Sequence, residues 1–182
     1  MNQPPPYYMV FDVESVGLHG EGFAVGWVVV NRDGETIAEG SAACQPDEEM
    51  GTPEGLKWVQ ENVRSDRTPV SYLIPREVRD AFWSHWMEWK AKGAVLVADC
   101  AWPVEARFLA ACVDDDPEQR EWQGPYPLHE LASFRFAGGL DPLGTNARLP
   151  NELPVHDALA DARQSARLLI QAFDAVVENC IS

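Results

Sequence analysis

The chain has 182 residues, enough for one domain with a real core and too few for two comfortable ones. A hydrophobic content of 46% with seven tryptophans excludes a disordered chain, and no run of 18 apolar residues marks a membrane span. The net charge of −15 argues against a protein that holds long nucleic acid by bulk electrostatics, because such binders neutralise phosphates with basic surfaces.

The opening stretch Met1-Asn2-Gln3-Pro4-Pro5-Pro6 has neither a basic flank nor an apolar signal core, so the expected compartment is the cytoplasm. Cys44, Cys100, Cys112 and Cys180 are widely spaced with no CxxC, which predicts reduced, mostly buried thiols and no zinc site.

Met9-Val10-Phe11-Asp12-Val13-Glu14 reads as a buried central strand interrupted by two carboxylates. Residues i and i+2 of a strand share a face, so Asp12 and Glu14 project together with Cα atoms roughly 6.5–7 Å apart. Two like charges on a half-buried sheet repel and lose hydration, and a hard divalent cation such as Mg²⁺ or Mn²⁺ offsets that cost. A glycine-rich loop over 15–22 follows, then strands over Phe23–Asn31 and Thr36–Cys44 joined by a tight turn at 32–35. The opening is thus a three-stranded antiparallel meander with the acids on its first member.

Thr52 as N-cap and Pro53 at the first position predict a short helix to Val63. A longer helix over Pro75–Lys92, stopped by Gly93, carries Val78, Phe82, Trp86 and Trp89 as a stripe expected in the core or at a subunit contact. Ala94–Ala98 is apolar on both faces and reads as a central strand ending at Asp99. A helix is expected from Trp102-Pro103 to about Val113, a brief strand at 126–128, and a helix from His129 to about Ala137. A Gly/Pro/Asn-rich loop then covers 138–154, and a last helix runs from about Asp157 to Glu178. No repeat or linker divides residues 1–182. The order fits an α/β, ribonuclease H-like mixed sheet, the antiparallel meander plus parallel strands, flanked by helices.

His156 and Asp161 stand five apart in His156-Asp157-Ala158-Leu159-Ala160-Asp161, on different faces of any single helix. His156 therefore belongs to the entering loop, with Asp157 as N-cap and Asp161 on the helix.

FDVES-x-G-L at Phe11–Leu18 and H-x4-D at His156–Asp161 resemble the first and third motifs of the DEDDh 3′–5′ exonucleases, a superfamily that includes RNase T, oligoribonuclease and polymerase proofreading subunits. The resemblance spans nearly the whole chain in motif order, strand order and length. The second motif departs from it. Where the family has Asn and then Phe-Asp before a helix with Phe-Leu, this chain has Asp99-Cys100-Ala101-Trp102-Pro103-Val104-Glu105-Ala106-Arg107-Phe108-Leu109. Matching the strand end makes Asp99 the acid, the preferred alignment because ligands gather at that edge. Matching the helix makes it Glu105, the rival.

The resemblance implies that Asp12, Glu14, Asp161 and the second-motif acid bind two Mg²⁺ or Mn²⁺ ions, with His156 as general base in hydrolysis that releases nucleoside 5′-monophosphates from 3′ ends. It places Ser15, Gly17 and Leu18 against the terminal nucleotide, Leu18 as a wedge beside its base. Arg148, Arg163 and Arg107 are candidates for phosphates, each equally readable as a surface residue, and Trp102 for base stacking or core packing. His19, His85 and His129 read as structural or surface residues. The expected substrate is short single-stranded RNA, with DNA the near alternative. An inactive interaction module and a small-nucleotide phosphodiesterase are the competing functions. Family members are often homodimers, and the tryptophan-bearing helix over Pro75–Lys92 is the expected contact surface.

Overall fold

The computed structural model describes residues 5–144 and 146–181; the opening residues 1–4, read for a leader, lie outside them. Five strands, β1 (Tyr7–Ser15), β2 (Gly22–Val30), β3 (Thr36–Ala43), β4 (Ala94–Ala98) and β5 (His129–Glu130), form one sheet in the order β3-β2-β1-β4-β5. The β1–β2 and β2–β3 pairs are antiparallel, and β1–β4 and β4–β5 are parallel. This is the expected mixed sheet, with β1 at its centre.

Side-chain alternation along β1 divides the core into two layers. Met9, Phe11 and Val13 face α1 (Pro53–Asn62), α2 (Pro75–Ala91) and α3 (Ala106–Asp114), where Phe82 packs between Phe11 and Phe108 at ring distances of 5.2 and 5.4 Å. Tyr8 and Val10 face the other way, against α5 (Leu131–Ala137) and α6 (Ala158–Ile181), with Leu159, Ala162, Ala166 and Leu169 as the apolar stripe of α6. Each fully buried large side chain contributes about 1.5–3 kcal/mol. Asp12 and Glu14 continue the Tyr8–Val10 face, beyond the apolar stripe and at the N-terminal end of α6.

Local rules account for most boundaries. Thr52 caps α1 by accepting from Gly55 N at 3.1 Å, and Gly93 ends the α2 region with a left-handed φ of 87°. Trp83, Trp86 and Trp89 are all buried within the chain. The core thus consumes the stripe expected to serve as a subunit contact.

Several elements differ from expectation. Trp102 is extended (φ −109°, ψ 136°), so Ala101–Glu105 is a wide turn and α3 begins only at Ala106. The last strand is His129–Glu130 instead of 126–128. A short helix α4 (Pro117–Arg120) and a 3-10 turn at Pro150–Glu152 were not anticipated. Cys44 and Cys112 are buried, but Cys100 and Cys180 are exposed.

Candidate active site

The site forms where strands diverge. The β1–β4 ladder ends at Phe11↔Ala98, so the main chain leaves β4 just as β1 presents Asp12 and then Glu14. Opposite them in register, β2 places Gly26 across from Asp12 and Ala24 across from Glu14. The glycine is required by α6. A Cβ on Gly26 would lie 2.3 Å from Leu159 N and 2.4 Å from Ala158 O. The bare backbone lets the first turn of α6 rest on the sheet, and that contact brings Asp161 to the β1 acids.

The start of α6 is fixed by Asp157, which is fully buried. Its Oδ1 accepts from Ala160 N at 3.2 Å and from Thr68 Oγ1 at 2.9 Å, while Oδ2 accepts from Arg67 N at 2.6 Å. Thr68 Oγ1 in turn accepts from Leu159 N at 3.0 Å. The expected N-cap thus also ties a segment some 90 residues away to the helix.

His156 precedes this cap with a left-handed φ of 58°, uncommon for a residue with a Cβ. Three contacts hold it. Its carbonyl accepts from Arg64 N at 2.7 Å, its N–H donates to Asp161 Oδ2 at 3.2 Å, and its ring meets Trp58 edge-on at 5.1 Å. Glu14, His156 and Asp161 each offer a ligand atom, all within 4.8 Å of one another.

The electrostatics describe a crowded acid cluster. Burial pushes the Asp12 carboxyl well above its usual range, with further rises from Glu14, Asp161, Glu105 and Asp99, in that order. Glu14, 8% exposed, is pushed up to about 8 by burial and then by Asp161, Asp157 and Glu105, with Arg148 opposing. Burial raises Glu105, 6% exposed, to about 7, against backbone hydrogen bonding at its own residue and at Val13. Asp161 is raised by burial, against a hydrogen bond and ion pair from Arg148. Asp99 lies on the exposed rim; surrounding protein and Asp161 still raise it, while Arg135 and Arg148 lower it. Both second-motif candidates therefore reach the cluster, Glu105 from its buried side and Asp99 from its edge.

The other expected residues divide. Ser15 Oγ donates to Gly17 O at 2.8 Å and Gly17 takes a φ of 75°, a turn that leaves Leu18 exposed beside the site. Trp102 is 74% exposed next to Asp99 and Glu105, so it is no part of the core. Arg148 is in the site, bridging Asp161 and the Glu152 carbonyl. Arg163 is spent on Glu39 at 2.6 and 2.8 Å, and Arg107 is exposed on α3. His85 packs tilted against Trp27 and His129 stacks on Phe134, while His19 is exposed. Sequence reasoning missed Trp58, because nothing on its short helix says that its ring will meet His156, far along the chain.

Asp12, Glu14, Glu105 and Asp161 converge with Arg148 as the arginine that offsets them, Asp99 joins them at the rim beside Arg135 and Arg148, and the raised carboxyl pKa values mark charge that these arginines do not balance. Such an all-oxygen set, with one imidazole, fits a hard divalent cation.

Among solved structures, the chain resembles a histone mRNA stem-loop 3′-exonuclease (14% identity, TM-score 0.54, covering 95% of this chain and 84% of that one). It also resembles the zinc-bound Escherichia coli exonuclease I–single-stranded DNA complex (14%, 0.57, covering 97% and 41%) and Methylocaldum szegediense exonuclease I (15%, 0.57, covering 91% and 40%). The chain has the ribonuclease H-like fold of these exonucleases. It spans about two fifths of the exonuclease I chains. No protein-family model matches the sequence, and no curated protein does. Among the described residues, no helix is long and apolar enough to cross a membrane.

Proposed function

We propose that this protein is a divalent-metal-dependent 3′–5′ exonuclease that acts on short single-stranded RNA, with single-stranded DNA as the alternative substrate, releasing nucleoside 5′-monophosphates. The observation that carries this reading is the convergence of Asp12, Glu14, Glu105 and Asp161 at one crevice with His156 on its lip. The exonuclease fold of its structural neighbours supports it.

Asp12, Glu14 and Asp161 would hold Mg²⁺ or Mn²⁺, and we take Glu105, the second of the two expected candidates, as the fourth ligand. It is buried against β1 and raises the Asp12 pKa more than Asp99 does. Asp99 instead faces Arg135 and Arg148 at the rim. When bound, the metal supplies Lewis-acid stabilisation of the phosphoryl charge and acidifies a water molecule. An imidazole nitrogen of His156 accepts the proton of the attacking water. The His156 N–H bond to Asp161 and the Trp58 ring fix where that nitrogen sits. Leu18 and Trp58 frame the terminal nucleotide, with Ser15 and Gly17 shaping the loop beneath it, and the exposed Trp102 offers a stacking face. Arg148 is placed to meet a phosphate. The cation-filled acid cluster takes the part that basic side chains play in other nucleases, which reconciles a charge of −15 with a polyanionic substrate.

The test is stepwise shortening of a labelled oligoribonucleotide and its deoxy counterpart with Mn²⁺, alongside Asp12→Asn. Laddering by the wild type and none by a folded Asp12→Asn protein is expected. Turnover retained in Asp12→Asn would refute the metal role, and cleavage of mononucleotides or dinucleotides alone would favour a small-nucleotide phosphodiesterase.

A further inference from the structure

Two arginines of this chain are almost wholly buried, and they are treated differently. Arg79, 8% exposed, is matched by Asp115 through Nε and Nη2 and by Glu21 through Nη1. Arg135, 6% exposed on α5, meets a carbonyl: its Nε donates to Asp141 O at 3.0 Å. Among the described residues no carboxylate pairs with it. Acids are not scarce in a chain with 29 Asp and Glu against 14 Lys and Arg. Asp99, which lines the same crevice, feels its charge without contacting it. A buried guanidinium with no acid in direct contact is costly, so this one marks a place where an anion arrives from outside.

Arg135 lines a crevice of about 410 Å³ between α5, α6 and residues Pro142, Leu143, Gly144, Asn146 and Arg148. That volume lies within the range of small-ligand sites. Its wall includes Asn146, Gln164, Ser165 and Arg148, and its mouth is Asp99. Arg148 also touches Asp161, and Asp99 also bears on Asp12, so the crevice opens directly onto the acid cluster. The two compartments have opposite character: the cluster collects negative charge for a cation, and the crevice collects positive charge for an anion. A ligand that spans both carries phosphates in series.

We propose that the Arg135–Arg148 crevice is a second phosphate subsite, which binds a non-scissile phosphodiester of the polynucleotide while the acid cluster engages the scissile one. This rests on the exonuclease reading and adds to it a preference for strands with more than one phosphodiester. Guanidinium groups suit phosphate oxygens through paired N–H donors, and the amides of Asn146 and Gln164 supply neutral donors beside them.

The experiment measures equilibrium binding of 5′-fluorescein hexa-adenylate, and competition by the dinucleoside monophosphate ApA, in an Asp12→Asn background that prevents turnover. Arg135→Met removes the charge, Arg135→Lys keeps it, and Gln164→Glu places an anion in the crevice while leaving both arginines intact. Thermal melts confirm folding. Arg135→Met and Gln164→Glu are expected to weaken hexa-adenylate binding at least tenfold. Arg135→Met is also expected to flatten the dependence of log Kd on log salt by about 0.7, the share of one single-strand phosphate contact. ApA, with a single phosphodiester, should bind all variants alike, and Arg135→Lys should recover most of the loss. Unchanged hexa-adenylate binding in Gln164→Glu and in folded Arg135→Met would overturn the subsite, as would equal losses for ApA and hexa-adenylate. Cleavage of hexa-adenylate by the wild type with Mn²⁺ is scored separately. Its absence defeats the nuclease reading, whereas intact cleavage with unaltered binding in the variants defeats only the crevice.

Discussion

Replacing Glu14 with Gln is expected to make the metal-free protein more stable at alkaline pH while stripping it of its response to metal. Glu14 is 8% exposed, and its carboxyl titrates near 8 instead of the ordinary 4.5, chiefly through burial and then through Asp161, Asp157 and Glu105. Between those two pH values the folded chain binds a proton that the unfolded chain has released, so stability is full below pH 4.5, falls as pH rises toward 8, and is flat beyond. At about 1.4 kcal/mol per pH unit, the whole interval corresponds to a ceiling of ~5 kcal/mol. Asp12, Glu105 and Asp161 share the same repulsion and relax when one charge is removed, so the net gain expected from Glu14→Gln at pH 8.5 is about 2–5 kcal/mol. For a chain of this length that is roughly 5–15 °C in Tm. Melts in EDTA at pH 5.5 and 8.5, run side by side, largely cancel the general effect of a net charge of −15, because the variant differs from it by a single charge. With Mn²⁺ at a hundredfold excess over Kd the gap narrows by about 3 kcal/mol, because the wild type gains that much and the variant gains little. A Glu14→Gln protein that melts at or below the wild type at pH 8.5 in EDTA, or that keeps the wild-type pH slope, would refute the account of the cluster as unbalanced charge.

The remaining expectations concern how the site is assembled. Gly26→Ala forces α6 away from the sheet; it should cost about 1–3 kcal/mol in chemical denaturation and weaken Mn²⁺ binding measured by calorimetry, although residue 26 carries no ligand. His156→Ala should lower kcat by roughly 10²–10⁴-fold in single-turnover assays while the fold is kept. Glu105→Gln should lose metal binding and activity together, whereas Asp99→Asn should chiefly raise KM; the opposite pattern would make Asp99 the ligand. Asp157→Ala removes the cap of α6 and leaves Thr68 without its partner, for an expected loss of about 2–4 kcal/mol in urea titrations.

Much of this arrangement is legible in the sequence because it rests on short-range periodicity. The alternation at Asp12 and Glu14 follows from strand geometry, and the five-residue step from His156 to Asp161 forces the histidine off the helix. Thr52, Pro53 and Gly93 announce helix ends by local chemistry. What escaped notice depends on pairs distant in the chain. Nothing near Gly26 says that α6 will lie on it, and nothing near Arg135 says that it will be buried with no acid in contact. The start of α3 was misplaced because Pro103 resembles a helix N-terminus, whereas the extended Trp102 before it opens a wide turn that delivers Glu105 to the cluster. The tryptophan stripe of α2 is legible as apolar, but periodicity alone does not say whether such a face meets its own sheet or another molecule.

The acid cluster joins residue 12 of the first strand to residue 161 of the last helix, and Gly26 is the seat on which they meet. A chain that has formed the meander and most of the sheet still lacks the cluster, because Asp161 reaches the β1 acids only when the first turn of α6 settles on Gly26.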